Sequence, residues 1–567
     1  MLKLWREPPG LAWSQDWDVF LTGQAGYWPS EVGRSVAEFV TARVMIYAQL
    51  GKMRLTVKMN AGHAFVVQAD LGKLACDLVL LPTDQGLDVR KHWTHLGQPR
   101  LPSGWSNSGV RVTDAVPERG FGRDRLVRWV NTGSIPSLAK VQWLLEGVRQ
   151  ALDAAGASVS ARPPLNARAR PLVGLPLFGT GAGGFDALRG EVLDGILAEC
   201  DAATARYGYD LVITCRLRSD YAALQARRRR QNAGSPAPHG DLLAEAERLG
   251  KVARTGGLAL FLGAGISQPA GLPSWTDLIR QLAKRSRSYA DRPDELLEIP
   301  AIDAALLLER DLGPQFRESL RLELSRPLHA VGHALLASLR TAEAITTNFD
   351  ALYEQACAAT FDERPRKLPW QRAEPGRPWL LKMHGDVDSE NLVLSRDEFL
   401  GYDTLWRPLA SMVQTAMMTR HVLFVGFSLN DENFVRLGRD VSLLLDRMKL
   451  DRVVGTVLTL RHEPMLSALW GEDLRHVAMA TPETDSPAAS RLLDIFLDQV
   501  AMNAASDERS YLLDSRYAAL VDDVDRAVMK KLTELGQAVG NDDDDRWRDV
   551  SELLKRYGYR SPPHHWS

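Results

Sequence analysis

The sequence predicts an α/β protein with two domains, each built around a sheet rich in parallel strands. The short apolar runs at 172–178 and 258–262 are each followed by a glycine-rich loop and then by a helical pattern. An apolar run, a glycine turn and an amphipathic helix in this order are typical of a parallel strand and its crossover helix. A length of 567 residues also implies more than one domain.

The composition is that of a folded, globular protein. Apolar residues make up 45% of the chain, charged residues 25%, and the net charge is −2, so we expect no nucleic-acid partner. The N-terminus lacks a basic and apolar leader, and no apolar run approaches the ~20 residues of a membrane helix, so we expect a cytoplasmic protein without a membrane anchor. Four cysteines without paired spacing predict a reducing compartment and no metal site.

Changes in composition along the chain divide it into four parts. We assign 1–226 to a first domain, 227–240 to a linker, 241–505 to a second domain and 506–567 to a helical C-terminal extension. The run Arg227–Arg230 could contact nucleic acid, but four like charges before a linker are more typical of a solvated helix end. An apolar stripe in the extension must pack on the protein body or on another copy: Leu512, Leu513, Tyr517, Leu520 and Val521.

The loop at the start of the second domain predicts a phosphate site. The apolar run at 258–262 ends in a glycine turn at 263–265, and Ser274 with Asp277 has the spacing of a capping box that begins a helix. Free N–H groups and the helix dipole favour anions at such a place. Gly271 comes too late for the usual dinucleotide fingerprint, so an ordinary Rossmann nicotinamide site is not expected.

Three further strands each end in polar residues. The segments 344–350, 379–386 and 421–431 begin as apolar runs and end with Asn348 and Asp350, with His384, and with Gly426 and Ser428. Ligands bind at the carboxyl edge of a doubly wound sheet, so these residues are expected to line one crevice with Gly263. Asn348 and Asp350 could instead form an ordinary turn, and His384 could be a core histidine, but the ordered series favours a site.

The order of these motifs resembles the sirtuin (silent-information-regulator) family. The chain carries Gly-Ala-Gly-x-Ser, Thr-x-Asn-x-Asp, His-Gly and Gly-x-Ser-Leu-x-Asp in that order, and is most similar to the bacterial NAD-hydrolysing branch found in anti-phage defence. The resemblance covers roughly residues 241–500 and implies a Rossmann-type parallel sheet with a helical insertion at about 300–339. Deacetylases of the family carry two Cys-x-x-Cys pairs after the catalytic histidine, whereas 385–421 contain no cysteine.

The resemblance implies NAD as the substrate and a role for each motif. Asn348 would hold the ribose hydroxyls and a water, Asp350 would bind the nicotinamide carboxamide, and His384 would act as general base. In cleavage of the nicotinamide–ribose bond the leaving group is already a cationic pyridinium, which departs as neutral nicotinamide. The reaction therefore needs positioning and a base but no strong acid. The predicted contacts to the diphosphate are Gly263, Ala264, Gly265 and Ser267, and those to the adenosine side are Gly426 and Ser428.

The first domain resembles a macrodomain, the fold that binds ADP-ribose. Apolar runs at 64–67, 75–84, 172–178 and 209–214 predict a mixed sheet, and Asp70 falls where that family contacts adenine. Asp84 stands at the family's ribose-side asparagine, and no first glycine loop is evident within 103–109, so binding of ADP-ribose is expected more than its hydrolysis. The predicted diphosphate loop contains Gly179, Thr180, Gly181, Gly183, Gly184 and Phe185.

Three hypotheses follow for the whole chain. The first is a triggered NAD hydrolase of anti-phage defence whose first domain binds or senses an ADP-ribose-type ligand, and we expect it to form a homo-oligomer. The second is an NAD-dependent protein deacylase coupled to handling of its ADP-ribosyl product. The third is a non-catalytic scaffold that only binds nucleotides. The three polar residues Asn348, Asp350 and His384 favour the first hypothesis over the third.

Overall fold

The structure is a computed structural model of the 567-residue chain. It describes residues 61–106, 109–116, 125–133, 141–181, 183–232, 240–389, 392–396, 398, 407–429, 431–450, 453–539 and 547–560. The described residues from Gly62 onward belong to one compact unit. The alternating residues 55–59 also predict a strand, and they lie outside the described residues. None of the helices in the described ranges is long and apolar enough to cross a membrane.

The first half contains a mixed sheet in the order β1-β7-β6-β2-β5-β4-β3. The strands from β1 to β5 in this order run parallel, whereas β4 is antiparallel to β5 and β3 is antiparallel to β4. The mixed sheet confirms the predicted fold class, although β4 and β5 were not predicted. The strands are β1 Ala64–Gln68, β2 Leu78–Thr83, β3 Gln98–Pro99, β4 Val112–Val116, β5 Leu126–Asn131, β6 Leu172–Pro176 and β7 Asp210–Cys215.

Three helices belong to this half, namely α1 Val141–Val159, α2 Arg189–Tyr207 and α3 Arg218–Asn232. Helix α3 continues six residues into the segment predicted as a linker, because its arginines are paired rather than solvated. Arg228 is only 6% exposed and donates to the carboxylate of Asp498, and Arg229 donates to the carbonyl of Met502 at 2.7 Å. The prediction of a solvated helix end was therefore wrong.

The second half contains a sheet in which every strand is parallel to its neighbours, in the order β10-β11-β9-β8-β12-β13-β14. The direction of winding reverses between β8 and β12, which is where a doubly wound sheet binds ligands. The strands predicted in this half are confirmed. The seven strands, of which β10 was not predicted, are β8 Leu258–Leu262, β9 Glu343–Thr346, β10 Arg366–Leu368, β11 Trp379–Lys382, β12 His421–Val425, β13 Gly455–Arg461 and β14 Leu474–Ala480.

Helices cover both faces of this sheet and form the insertion. Ser274 caps α5 as predicted, since its Oγ accepts from the Asp277 N–H at 3.2 Å. The helices of this half are α4 Gly240–Arg254, α5 Trp275–Ala283, α6 Ala301–Leu312, α7 Gln315–Leu324, α8 Val331–Ser338, α9 Leu352–Phe361, α10 Arg407–Thr419, α11 Glu432–Arg447, α12 Pro464–Trp470 and α13 Ser486–Ala504, and the C-terminal extension adds α14 Asp523–Val539 and α15 Arg548–Arg556.

The two halves share one apolar core. Phe65 and Val67 of β1 belong to the same cluster of buried side chains as Leu493 and Phe496 of α13. A buried ion pair joins the halves beside this cluster: Arg228 Nη1 lies 3.0 Å from Asp498 Oδ1, and Asp498 is fully buried. Separation of the two halves would break this pair, and either charge left alone in the interior is strongly unfavourable.

The C-terminal extension packs on the first half. All five residues of its predicted apolar stripe are buried, and all but Leu513 join the core that covers α1 and α2. Tyr517 is fully buried, its hydroxyl donates to Asp220 at 2.8 Å, and its backbone lies against Gly190. Of the two alternatives that the sequence left open, this stripe therefore covers the protein body.

Candidate active site

Four neighbouring strands bring the sequence-predicted residues to one row. In the parallel register Lys382 pairs with Thr346, Thr346 with Leu262, and Leu262 with Val425. His384 and Asn348 each lie two residues beyond this row, on adjacent strands, and Gly263 and Gly426 lie one residue beyond it. Because parallel neighbours are ~4.8 Å apart, the sheet alone places these motifs side by side.

Two glycines allow the loop after β8 to touch the loop after β12. Gly265 N donates to Gly426 O at 2.9 Å, and Gly263 N donates to Val425 O at 3.0 Å. A Cβ on Gly263 would lie 2.4 Å from Gly426 O, and Gly426 has a φ of +65°. Only glycine permits this approach and this backbone conformation. Ala264 and Gly265 are exposed on the outer side of the loop, where a phosphate can reach their backbone.

Asn348 presents one free oxygen. Its Nδ2 donates to Gly263 O at 3.0 Å, which fixes the orientation of the amide because a carbonyl oxygen can only accept. Its Oδ1 is buried and has no hydrogen-bond partner among the described residues. A buried acceptor of this kind costs free energy unless a donor such as a hydroxyl group satisfies it.

Ser267 and Asp350 support Asn348 from the interior. Ser267 Oγ donates to Asp350 Oδ2 at 3.0 Å and lies 3.4 Å from Asn348 Nδ2. Asp350 Oδ1 accepts from Leu352 N at 2.9 Å, and burial raises the pKa of Asp350. Ser267 is only 1% exposed, so its hydroxyl organises the side chains behind the loop. The sequence assigned this serine to the diphosphate and missed that internal role.

His384 lies beside a carboxylate that the sequence did not assign to the site. Its Nε2 is 3.2 Å from Asp431 Oδ2, and Asp431 also caps α11 through Phe434 N at 2.8 Å. Burial lowers the pKa of His384, whereas the negative charge of Asp431 raises it. Because burial dominates, the imidazole is neutral near pH 7 and can accept a proton. The Gly-x-Ser-Leu-x-Asp motif contained Asp431, but its reach to His384 depends on the fold.

Two further residues of this centre were missed. Lys382 is fully buried, and its Nζ donates to Asp386 Oδ2 at 2.8 Å and to the carbonyl of Asp350 at 2.6 Å. It therefore ties the end of β11 to the Asn348–Asp350 turn; a lysine within an apolar strand was the available signal. His333 Nε2 lies 3.3 Å from Ser267 Oγ, and burial lowers the pKa of His333 to about 3.

A cleft of about 740 Å³ opens at the reversal of winding. Gly265, Gly426 and Ser428 line it as predicted, together with Ser274 and Asp277 at the start of α5. Residues 166–170 of the first half also line it, which the sequence did not predict. Asn348, Asp350 and His384 are not among the residues that line this cleft.

The first half contains a second glycine loop, after β6. Gly179 has a φ of +73° and Gly184 a φ of +87°, and a Cβ on Gly181 would lie 3.0 Å from the guanidinium of Arg90. Phe185 N donates to Gly179 O at 3.1 Å, which closes the loop on itself. Thr180 is buried, and its carbonyl accepts from Arg189 at 2.7 Å. Gly183 packs within the same loop, because a Cβ there would lie 2.7 Å from Gly179 Cα.

The two acids predicted near this loop both bond to local backbone. Asp70 is exposed and accepts from Gly72 N at 2.9 Å, where it caps a short 3-10 helix. Asp84 Oδ1 accepts from Asp88 N at 2.9 Å. Asp70 follows β1 and the glycine loop follows β6, so both lie at the carboxyl edge of the parallel strands. In the described part of the chain, no group of three His, Cys, Asp or Glu residues could hold a metal ion.

A parallel, doubly wound sheet with asparagine, aspartate and histidine at its carboxyl edge has the arrangement of a nucleotide-binding α/β domain. Residues 342–454 match the family described as SIR2-like domain. The matched residues contain Asn348, Asp350, His384 and Gly426, whereas β8 and its glycine loop precede them.

Curated relatives share this part of the chain. Defense-associated sirtuin 2 of Bacillus subtilis is 28% identical over 193 residues, which are 32% of this chain and 19% of that protein. NAD(+) hydrolase ThsA of Acinetobacter baumannii is 27% identical over 194 residues, 33% of this chain and 39% of that protein. NAD(+) hydrolase ThsA of Enterococcus faecium is 26% identical over 211 residues, 35% and 43% respectively. The alignments span less than half the length of each relative.

Among solved structures, Alphavirus P23pro-zbd aligns with 59% of this chain and 47% of its own at 9% identity. Its TM-score of 0.24 is too low to establish a shared fold.

Proposed function

We propose that this chain hydrolyses NAD to nicotinamide and ADP-ribose and acts as a triggered NAD-depleting effector in anti-phage defence. The observation that carries the proposal is the unpartnered Oδ1 of Asn348, two residues beyond the same strand row as His384. An acceptor fixed in this way suits a ribose hydroxyl, and a neutral histidine on the adjacent strand suits the removal of a proton. The relatives named NAD(+) hydrolase support the substrate.

The mechanism uses the residues as follows. Asn348 Oδ1 accepts from a ribose hydroxyl and orients the sugar, and His384 takes a proton from a ribose hydroxyl or from the attacking water. Asp431 stabilises the imidazolium that forms, since its carboxylate lies 3.2 Å from Nε2. Asp350 binds the carboxamide of nicotinamide and keeps Ser267 in position through its 3.0 Å hydrogen bond. The pyridinium leaves as neutral nicotinamide, so no acid is required.

The cleft accommodates the rest of the dinucleotide. Its 740 Å³ is within the range of small-molecule sites. The backbone N–H of Ala264 binds the diphosphate, whereas that of Gly265 is already bonded to Gly426 O. Gly426 with Ser428 contacts the adenosine side. His384 is only 5% exposed, so NAD has little access to the base in the resting protein, which supports restraint of the activity. Such restraint is needed because a constitutively active hydrolase would exhaust the NAD of its host.

The test is nicotinamide release and NAD consumption by the purified protein beside His384→Ala and Asn348→Ala. Release without peptide that disappears in both variants supports the hydrolase, and the exposed His462→Ala is the matched control that retains it. Release that requires an acetylated peptide would instead identify a deacylase. If NAD binds but remains intact under every condition, including phage-infected lysate, the protein is a nucleotide-binding scaffold and the proposal is wrong.

We propose in addition that the first half binds an ADP-ribose-type ligand. The observation in favour is the glycine loop at 179–185, with two positive φ angles and Arg90 against Gly181. Glycine-rich loops of this kind bind phosphates through backbone N–H groups. Calorimetry with ADP-ribose tests it: Gly181→Glu, which places a negative charge beside Arg90, is expected to abolish binding at this site. Unchanged binding in that variant would contradict it.

A further inference from the structure

One wall of the nucleotide cleft belongs to the first half of the chain. Residues 166–170, in the segment between α1 and β6, line the cleft together with Gly265 and Gly271 of the loop after β8. Asn166 Nδ2 donates to Pro269 O at 3.0 Å and fastens the segment to that loop. Gly271 makes room for it, since a Cβ there would lie 2.8 Å from Asn166 Oδ1.

The first half holds this segment at both ends. Asp77, which precedes β2, accepts from Leu165 N at 2.6 Å with one carboxylate oxygen and from Leu172 N at 2.7 Å with the other. Asn166 and Ala167 both have positive φ, of 53° and 52°. Non-glycine residues adopt this conformation at a cost and only where surrounding contacts impose it. The surrounding contacts therefore hold this segment in one defined position along the cleft.

Arg168, at the centre of this loop, has N–H groups that are available to a ligand. Its Nε and Nη1 are buried and have no hydrogen-bond partner among the described residues. The cleft also contains Arg491 and Asp210, which pair with each other. Arg491 donates from Nε and Nη2 to the two oxygens of Asp210, both at 2.7 Å. Asp494 lines the cleft too and acts on Arg168 through its charge. A guanidinium with buried, unmatched N–H groups is unfavourable unless an anion binds it.

We propose that Arg168 binds the diphosphate of the nucleotide that occupies the cleft of the second half. The substrate in this inference rests on the proposed function. A planar guanidinium matches phosphate oxygens in a bidentate manner, and Arg168 lines the same cleft as Gly265 of the glycine loop. The NAD site is thus completed by a residue from outside the sirtuin-like domain.

This assignment separates binding from chemistry. Arg168 lines a cleft that neither Asn348 nor His384 lines, so its loss weakens binding of the nucleotide and leaves the reacting groups in place. Removal of a charged hydrogen-bonding partner raises KM and Kd by about 10- to 100-fold, while kcat stays within about twofold. Arg168→Lys keeps the charge but not the bidentate geometry, so it restores part of the affinity.

The experiment compares Arg168→Ala and Arg168→Lys with Arg162→Ala, an exposed arginine nearby that does not line this cleft. NAD binding is measured by calorimetry in the His384→Ala background, and KM and kcat are measured by nicotinamide release in the otherwise unmodified protein. Gly265→Val, whose side chain would press on Gly426, identifies the binding that belongs to this cleft. Circular dichroism and thermal unfolding establish that each variant is folded.

The expected result is weaker NAD binding in Arg168→Ala, partial recovery in Arg168→Lys and no change in Arg162→Ala. Arg168→Ala with wild-type Kd and KM would overturn the assignment even if NAD is hydrolysed. Binding that depends on Arg168 in a protein that releases no nicotinamide would overturn the proposed function and leave the assignment standing. Absence of any NAD binding would overturn both.

Discussion

His384 Nε2 and Asp431 Oδ2 lie 3.2 Å apart, although the two residues come from different strand ends of the sheet. Asp431→Asn removes the negative charge but keeps an oxygen that can cap α11. We expect kcat to fall, by less than the ~10²–10⁴-fold expected for loss of the base in His384→Ala. The measurement is nicotinamide release as a function of pH.

The direction of the pH effect in Asp431→Asn follows from the charges. The carboxylate raises the pKa of His384 against the opposing effect of burial, so its removal lowers that pKa further. Activity that depends on neutral His384 falls at acidic pH, and this acid limb is expected to move to lower pH in the variant. An unchanged profile together with an unchanged kcat would show that Asp431 has no part in the reaction.

The close contact of Gly426 with the loop after β8 predicts the result of Gly426→Ala. The added Cβ would lie 2.4 Å from Ile266 N, at a residue whose φ is +65°. Gly256→Ala is the matched control, since Gly256 has a similar φ of +72° but nothing within 4 Å of the added atom. Backbone strain alone costs about 1–2 kcal/mol, so the control loses that much and Gly426→Ala loses more. Urea unfolding measures both; equal losses would contradict the contact.

Asp494 predicts a dependence of stability on pH. Burial raises the pKa of Asp494 to about 6, against the attraction of Arg168 and Arg491, and Asp210 adds to the increase. The folded state therefore holds a proton that the unfolded state has released, and the contribution of this group falls as the pH rises from about 4 to about 6. The free energy of unfolding of Asp494→Asn, relative to that of the wild type, is expected to be higher at pH 8 than at pH 4 by up to about 3 kcal/mol. Denaturant unfolding at the two pH values provides the check, and equal pH slopes in variant and wild type would disprove it.

The ion pair between Arg228 and Asp498 predicts strong coupling of the two halves. Asp498→Ala leaves Arg228 buried without its counter-charge and is expected to cost about 3–5 kcal/mol. Arg228→Ala has a similar effect, and the double variant loses less than the sum of the two. Arg227→Ala is the control, because Arg227 pairs with Asp194 near the surface and such pairs contribute ~1 kcal/mol or less. Additive losses in thermal unfolding would show that the pair does not couple.

The strands and loops of the second half could be predicted from sequence because their signals are local. Apolar runs such as Leu258–Leu262 are buried on both faces of a parallel sheet, and glycines or polar residues mark their ends. The strands β4 and β5 carry Asp114 and Arg128, which pair across the antiparallel edge at 3.0 Å. Both strands are partly exposed and have charged residues within them, which interrupt the apolar run, so the sequence did not reveal them.

The contacts that complete the site were not predictable, because each joins distant parts of the chain. Asp431 was recognised as the end of a motif, but only the strand order brings it to His384. The burial of Arg228 depends on Asp498, 270 residues away. Arg168 stands in a short segment without a motif, and its relation to the cleft is visible only when the two halves are seen together.

The shared core and the Arg228–Asp498 pair restrict how this protein could have been assembled. A domain joined through a flexible tether can be exchanged for another with no change to its neighbour. Here the first half brings Arg228 to a carboxylate of the second and supplies a wall of its cleft. A replacement module would need a matching cation and a matching loop, so the two halves are expected to be inherited together, with substitutions on one side accompanied by substitutions on the other.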